Sequence, residues 1–316
     1  MDYRLLGKSG LQVSEIGLGC NQFGGRVDEK GTAAIIHKAV EVGINFIDTS
    51  NNYGRGLSEE YIGKALKGMR HQVVLTTKVG GPMGEGPNQG RTASRIHIMQ
   101  QIESSLRKLQ TDYLDLYQIH FPDSRTPIEE TLMALDDLVH QGKVRYIGCS
   151  NFAAWQIVEA TLTARMYNLN AFISNQPQYN LLDRSIEQEI LPVCQAYGLG
   201  TIPFSPIAGG FLTGKYQKGQ PIPEGVRGYN SPFFKDRVLT DRNYEMLSKL
   251  EAFATKRGKP LGAVAIAWLL ANPAVSTVIV GATRPEQVAE NATATDWRLT
   301  PEEKQELDKI AVWRES

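Results

Sequence analysis

The sequence has little cysteine and no cysteine pair. Its three cysteines, Cys20, Cys149 and Cys194, are scattered through 316 residues without a CxxC motif, which excludes a disulfide-rich secreted fold and argues against a cysteine zinc site. The first residues, MDYRLLGKSG, lack the basic and then apolar segment of an export signal. We therefore interpret the cysteines as reduced thiols of a cytoplasmic protein.

Excess charge, long apolar runs and several common site motifs are missing as well. The 34 basic residues balance 34 acidic ones, so no net field attracts nucleic acid or a membrane surface. No apolar run approaches the ~18 residues of a membrane-spanning helix. The five histidines form neither HxH nor HExxH, and neither GxSxG nor a P-loop occurs. We predict no metal, nucleic-acid or membrane partner, and the oligomeric state is open.

Short β-branched runs alternate with amphipathic segments, which is typical of repeated βα units. Eight runs are predicted strands: SEIGLG, GINFID, VVLTTK, LDLYQIH, VRYIGCS, FISNQ, LGTIPF and STVIV. Their predicted helical partners cover residues 29–42, 58–68, 93–109, 127–141, 153–166, 185–196, 243–257 and 285–294. Eight such units predict an α/β fold, a (β/α)8 TIM barrel that forms a single domain over residues 1–316.

Three segments exceed the barrel repeat. Residues Tyr3 to Val13 predict an N-terminal β-hairpin that caps the bottom of the barrel, and residues 261–272 and 301–311 predict extra C-terminal helices. A long loop, 205–242, follows the seventh strand and is rich in glycine and proline. A loop of this length is usually functional, and we expect it to be loosely packed until a ligand orders it.

Four polar residues lie at or just after the ends of successive predicted strands. Asp48 closes GINFID and Tyr53 follows it, whereas Lys78 closes VVLTTK and His120 closes YLDLYQIH. Because barrel strands end at one mouth, these side chains are predicted to converge. An ammonium group beside a tyrosine lowers the pKa of the phenol, and a carboxylate can keep that ammonium charged. The four residues therefore predict a proton-delivery site.

Each of these residues also has a simpler interpretation. A buried histidine with satisfied hydrogen bonds is commoner than a catalytic one, and Lys78 could be a solvated lysine. Charged side chains beside strand cores are seldom buried without a partner, however, and Asp48 would be that partner. The convergence of all four residues favours the catalytic interpretation.

A second site is indicated after the eighth predicted strand. The segment STVIVGATRPEQVAEN places a glycine turn between this strand and a helix that begins at Pro285. Helix N-termini bind anions, and the last two loops of a barrel often hold phosphate, to which Arg284 and Lys215 would add charge. The alternative is an ordinary capped turn with a surface arginine. No GxGxxG opens a βαβ unit, so a dinucleotide would not bind in the Rossmann manner.

Together these segments resemble the aldo-keto reductases. The resemblance covers nearly the whole chain and rests on INFIDTSNNYG, TDYLDLYQIHFPD, GKVRYIGCSNF, SNQPQYN, TIPFSPIAGGFLTGK and IVGATRPEQVAEN. It points to the bacterial branch related to the potassium-channel β-subunit-like reductases. It implies an NADPH-dependent oxidoreductase that reduces a small aldehyde or ketone, with Asp48, Tyr53, Lys78 and His120 as catalytic residues. The alternative is a nucleotide-sensing binding module of the channel β-subunit type with slow turnover.

The resemblance also implies where NADPH is held. Ser150, Asn151 and Gln176 would hold the nicotinamide carboxamide, and Phe204 would stack on the ring. The pyrophosphate would contact residues of the long loop: Ser205, Pro206, Ile207, Ala208, Gly209, Leu212, Gly214 and Lys215. The adenosine 2′-phosphate end would contact residues after the eighth strand: Gly281, Thr283, Arg284, Gln287, Glu290 and Asn291. We further assign to the cofactor Gly19, Cys20, Asp48, Arg227 and Ala282.

The resemblance leaves cofactor preference and substrate open. Gly281 and Gln287 stand where the aldose-reductase branch has a lysine and an arginine on the 2′-phosphate, so NADH is also possible and Arg284 would replace them. The implied mechanism is hydride transfer to a carbonyl carbon, with Tyr53 as general acid and with Tyr53 and His120 hydrogen-bonded to the oxygen. The predicted substrate residues are Asn21, Phe23, Tyr53, His120 and Phe121. The natural aldehyde or ketone cannot be read from the sequence.

Overall fold

The computed structural model describes residues 1–84, 86, 90, 92–222, 229 and 232–313. The chain begins with an antiparallel hairpin of two strands, β1 (Tyr3–Leu5) and β2 (Gln12–Ser14). The predicted N-terminal hairpin is therefore confirmed.

Eight parallel strands follow, and each predicted strand run is confirmed. They are β3 (Ile16–Gly19), β4 (Phe46–Asp48), β5 (Val74–Val79), β6 (Leu114–Ile119), β7 (Val144–Ser150), β8 (Ser174–Gln176), β9 (Gly200–Thr201) and β10 (Val278–Gly281). In the sheet, β10 pairs with β3, and the other strands then follow in chain order to β9. The sheet closes where Thr201 bridges Val275 and where the Ile279 amide donates to the Pro203 carbonyl over 2.9 Å. The result is the predicted (β/α)8 barrel.

The helices surround this sheet. They are α1 (Glu29–Glu41), α2 (Leu57–Ala65), α3 (Arg95–Leu109), α4 (Ile128–His140), α5 (Ala154–Met166), α6 (Ile190–Tyr197), α7 (Pro232–Arg237), α8 (Asp241–Lys256), α9 (Leu261–Leu270), α10 (Pro285–Ala292) and α11 (Pro301–Ile310). The predicted segment 185–196 divides into a 3₁₀ turn, Ser185–Glu187, and α6. Within the described part of the chain, no helix is long and apolar enough to cross a membrane.

The hairpin closes the amino-terminal end of the barrel. Leu6 and Val13 are fully buried in a cluster that also contains five residues of or next to the barrel strands, namely Phe46, Val74, Leu116, Ile202 and Ile279. The Arg4 guanidinium donates to the carbonyls of Val275 and Leu270, both over 2.8 Å. These contacts confirm the predicted cap and leave the opposite end, at the carboxyl ends of the strands, for ligands.

The first part of the long loop packs against the core. Phe211 and Leu212 are fully buried, and the Phe211 ring lies 6.4 Å from Tyr216, whose ring lies 5.1 Å from Phe234. The aromatic side chains between the glycines anchor this segment to the core. The expected ordering of the loop by a ligand stays a prediction.

Candidate active site

The structure brings the four predicted catalytic residues to one mouth of the barrel. Asp48 is the last residue of β4, Lys78 lies near the end of β5, and His120 directly follows β6. The Lys78 ammonium lies 5.2 Å from the centre of the Tyr53 ring. The rings of Tyr53 and His120 lie 5.8 Å apart, edge to face. Residues distant in sequence thus meet where the parallel strands end.

A left-handed turn places Tyr53 in this group. Gly54 and Arg55 have φ values of 56° and 58°, and Gly56 has 92°. A methyl group on Gly54 would lie 2.6 Å from the carbonyl oxygen of Phe23. Only glycine fits at position 54, because both the positive φ and the close backbone exclude a side chain.

Lys78 and Asp48 form a buried ion pair. The Lys78 ammonium is fully buried and donates to Asp48 Oδ2 over 2.6 Å and to the Thr49 carbonyl over 2.8 Å. Asp48 Oδ1 accepts from the side-chain amide of Gln176 over 3.0 Å. Burial, the largest single cause, lowers the pKa of Lys78, but the neighbouring groups, first among them the Asp48 carboxylate, together outweigh burial and leave that pKa raised. Lys78 is therefore a charged donor behind Tyr53.

The pKa of Tyr53 differs from the sequence-based prediction. Burial, the largest cause, raises the pKa of Tyr53, and the neighbouring Lys78 lowers it by less. The net pKa is therefore above its ordinary value, so the predicted net lowering is wrong although the effect of Lys78 has the predicted sign. The sequence identifies the Lys78 ammonium, but it does not show how completely the fold shields the Tyr53 phenol from water. Tyr53 consequently holds its proton at neutral pH.

His120 is held from two sides. Its Nδ1 lies 3.1 Å from Ser50 Oγ, and its backbone carbonyl accepts from the Asn151 side-chain amide over 2.9 Å. Its ring stacks on Phe121 at 4.3 Å with an interplanar angle of 12°. Because Nδ1, the backbone carbonyl and a ring face of His120 each have a partner, the imidazole has a defined orientation towards Tyr53.

A cavity of about 600 Å³ extends from Tyr53 and His120 along the mouth. At this end Asn21 and Phe121 line it as predicted, whereas Lys78 and Phe23 lie behind its wall, fully buried. Predicted cofactor residues that line the cavity are Gly19, Cys20, Asp48, Ser150, Asn151, Gln176, Phe204, Ser205, Pro206, Ile207, Gly209, Lys215, Gly281, Ala282, Thr283 and Gln287. The two predicted sites thus form one continuous cavity.

The far end of the cavity is positively charged. Lys215 and Arg26 both line it. Partial burial and, next, the charge of Arg26 lower the pKa of Lys215. The Lys215 ammonium lies directly against Gly210, so that a methyl group on Gly210 would occupy the same space. Two cations that destabilise each other beside a cavity favour an anionic ligand between them.

Several predicted residues lie elsewhere. Ala208 and Leu212 are buried, and the cavity wall does not include them or Gly214, Arg284, Glu290 and Asn291. Arg284 is about half exposed and pairs with Glu290 at 3.2 Å and with Glu286 at 3.7 Å. Arg227 lies outside the described residues.

Sequence reasoning missed four residues of the cavity wall: Gln22, Arg26, Asn52 and Ile279. The arginine had a usable signal, because it ends the segment FGGR in the loop that follows the first barrel strand. Ile279 had none, since an inward-facing isoleucine of a strand looks like any core residue. Within the described ranges, no group of three or more His, Cys, Asp or Glu residues is arranged to hold a metal ion.

The chain matches known proteins over nearly its whole length. The model of the Aldo/keto reductase family matches residues 15–312. A protein of Oryza sativa subsp. japonica named probable voltage-gated potassium channel subunit beta is 39% identical over 318 residues, which cover 98% of this chain and 95% of the relative. The aldo-keto reductase YhdN of Bacillus subtilis (strain 168) is 34% identical over 98% of this chain and 93% of its own.

A third relative carries a specific activity in its name. The L-glyceraldehyde 3-phosphate reductase of Escherichia coli (strain K12) is 35% identical over 93% of this chain and 87% of its own length. The fold, the family match and these identities agree with one another. The chain belongs to the aldo/keto reductase family.

Proposed function

We propose that this protein is an NADPH-dependent reductase of small aldehydes or ketones, with Tyr53 as the general acid. Family membership supports an oxidoreductase. The observation that carries the finer proposal is the position of Tyr53, which lines the cavity and lies beside the buried Lys78–Asp48 ion pair. A proton donor with a charged ammonium behind it suits reduction of a carbonyl.

A nicotinamide dinucleotide fits the cavity by its charges. Its pyrophosphate would lie beside Lys215 and Arg26, which both line the cavity and whose mutual repulsion an anion would offset. The nicotinamide would lie near Ser150, Asn151 and Gln176, which also line the cavity. When bound, this cofactor supplies the hydride that reduces the carbonyl carbon.

The residues of the chain then supply the proton and stabilise the charge that it leaves behind. Tyr53 donates its proton to the substrate oxygen as that oxygen gains charge. The phenolate that remains lies beside the Lys78 ammonium, which stabilises it, and Asp48 keeps Lys78 charged. Solvent returns a proton to Tyr53 after the alcohol leaves. Such general-acid assistance contributes roughly 10²- to 10⁴-fold to the rate.

A second function has a specific observation in its favour. Relatives named as potassium channel β-subunits from Oryza sativa and Arabidopsis thaliana are 39% and 40% identical to this chain over nearly its full length. The chain would then sense the nucleotide and turn over slowly. Cofactor binding without appreciable turnover would identify this role.

One experiment separates the two functions. NADPH oxidation is followed by absorbance with a panel of aldehydes and ketones, both phosphorylated and unphosphorylated, and NADPH binding is titrated in parallel by protein fluorescence. Turnover of at least one carbonyl that the Tyr53→Phe variant loses supports the reductase. Tight NADPH binding with no carbonyl turned over contradicts it and favours the sensor.

A further inference from the structure

A carboxamide lies next to the general acid on the wall of the cavity. Asn52 directly precedes Tyr53 in the chain, and both residues line the cavity together with His120. The Ser50 hydroxyl contacts the Asn52 amide at 2.8 Å and the His120 imidazole at 3.1 Å. Asn52 therefore adjoins both side chains that the carbonyl oxygen of a substrate would contact.

The Asn52 amide has one polar atom to offer a ligand. Among the side chains that the structure describes, its one hydrogen-bond partner is Ser50, which occupies one of the two polar atoms. The other atom lies beside Gly81, where an added methyl group would be 2.6 Å away, so glycine at this position leaves room for it. Exchanging the oxygen and the nitrogen of the amide leaves this argument unchanged, because a ligand hydroxyl can both donate and accept.

Two further carboxamides line the same cavity. The Asn21 oxygen accepts from the Gln22 side-chain amide over 3.2 Å, and the described part of the chain provides no other side-chain hydrogen bond for either. The aromatic residue of this wall, Phe121, stacks one ring face on His120 at 4.3 Å. An alkyl or aryl aldehyde would offer these amides no partner, and covering polar groups without a partner costs binding energy. The wall is thus better suited to a hydroxylated ligand.

We propose that Asn52 is a specificity-determining residue and that the substrate is a short aldehyde with a hydroxyl group on the carbon next to the carbonyl. The inference rests on the proposed function, because it names the substrate class of the same site. When Tyr53 and His120 hold the carbonyl oxygen, a hydroxyl on the adjacent carbon lies close to that oxygen and meets Asn52 on the same wall.

The hydroxyl is recognised but takes no part in the reaction. The carbonyl carbon gains the hydride that NADPH loses, and the carbonyl oxygen gains the Tyr53 proton. The product is therefore a 1,2-diol. Because the amide is uncharged, it favours a neutral hydroxyl, whereas the anionic groups of the cofactor are assigned to the cavity residues Lys215 and Arg26.

The first test compares three aldehydes of three carbons: propanal, 2-hydroxypropanal and 3-hydroxypropanal. The parent should show the highest kcat/KM for 2-hydroxypropanal, by roughly two- to twelvefold over 3-hydroxypropanal, the effect of one hydrogen bond. Asn52→Leu has a similar shape without polar atoms, so it should lower this ratio by the same factor. Differences in the reactivity of the free aldehydes cancel between parent and variant. A ratio that Asn52→Leu leaves unchanged would overturn the proposal.

A polar variant of similar shape separates recognition from packing. Asn52→Asp keeps an acceptor for the substrate hydroxyl, so the ratio of the two hydroxylated aldehydes should be retained, whatever the new charge does to the kcat of all three. Any effect of Asn52 through His120 is common to the three aldehydes and does not change the ratio. Equal losses of the ratio in Asn52→Leu and Asn52→Asp would show that Asn52 acts through packing and would contradict the proposal.

The second test measures binding and does not depend on turnover. Propane-1,2-diol and propane-1,3-diol are titrated into the complex with NADP⁺ and followed by protein fluorescence. The 1,2-diol should bind roughly two- to twelvefold more tightly to the parent, and the two should bind equally to Asn52→Leu. Reduction of propanal without either preference would support the reductase and overturn the role of Asn52. A preference for the 1,2-diol that Asn52→Leu loses, with no aldehyde reduced, would refute the reductase and support Asn52 as the residue that recognises the hydroxyl.

Discussion

The Lys78 ammonium lies 2.6 Å from Asp48 Oδ2, and these side chains are 0% and 4% exposed, respectively. An ion pair so deeply buried loses most of its hydration, and its members are stabilised mainly by each other. Removing either partner leaves the other as a buried charge that nothing neutralises. The pair can therefore be tested by the free energy of unfolding as well as by kinetics.

We expect Lys78→Met to lower the free energy of unfolding by about 3 to 5 kcal/mol, because Asp48 then becomes an uncompensated buried charge. Adding Asp48→Leu should restore part of the loss. Urea unfolding measures both. The matched control is Lys64→Met, because its ion pairs with Glu29 and Glu60 are exposed, so their loss should change the free energy of unfolding far less. Equal losses for Lys78 and Lys64 would contradict the account of the buried pair.

For the general acid, we expect Tyr53→Phe to lower the kcat of carbonyl reduction by about 10²-fold or more. Phenylalanine keeps the ring and removes only the proton donor, so NADPH affinity should change little. Stopped-flow kinetics and fluorescence titration give the two values. A variant that keeps a third or more of the parent kcat would exclude Tyr53 as the proton donor.

A pH-dependent effect is expected at Glu59, which is fully buried outside the cavity wall. Burial raises the pKa of Glu59, so the folded state favours the protonated carboxyl. Its contribution to stability is therefore full below the ordinary pKa of 4.5 and is lost as the pH rises through the raised value. Glu59→Gln should be more stable than the parent at pH 8 and no more stable at pH 4, by urea unfolding at both. The same difference at both pH values would exclude titration of Glu59 as the cause.

Arg26 and Arg284 are expected to contribute differently to NADPH binding. Arg26 lines the cavity, whereas the charge of Arg284 is already balanced by Glu286 and Glu290. Charge-assisted hydrogen bonds contribute roughly 1.5 to 3 kcal/mol, so Arg26→Ala should weaken NADPH binding about ten- to hundredfold. Arg284→Ala should weaken it less. Titration of both variants with NADPH and NADH measures the two affinities. A larger loss of NADPH affinity in Arg284→Ala than in Arg26→Ala would assign the 2′-phosphate to Arg284.

Gly210 and Lys215 should act as one unit. The Lys215 ammonium lies against Gly210, which has a φ of 95°, so Gly210→Ala should displace the ammonium and weaken NADPH binding. Lys215→Ala should weaken it about tenfold or more. The double variant should bind no worse than Lys215→Ala alone, because contacting residues are not additive. Additive losses by fluorescence titration would show that Gly210 contributes independently of Lys215.

Much of the barrel could be predicted because its information is local. Short runs rich in β-branched residues mark most of the barrel strands, and the parallel arrangement alone brings Asp48, Lys78 and His120 to one mouth. The net pKa of Tyr53 could not be predicted, since it depends on how completely other segments bury the phenol. Packing of Phe211 and Leu212 was missed for a related reason. The positions of glycines indicate the backbone freedom of a segment, but they do not show which of its side chains will be buried in the core.

The hairpin has a consequence for redesign of the protein. Leu6 and Val13 fill the amino-terminal end of the barrel together with Phe46 and Leu116, so this end of the interior is completed without the mouth loops. Loops that do not complete the core can change in length and composition with little effect on stability. New substrate pockets can therefore be built from the mouth loops. The packing at the amino-terminal end of the barrel would not have to be redesigned.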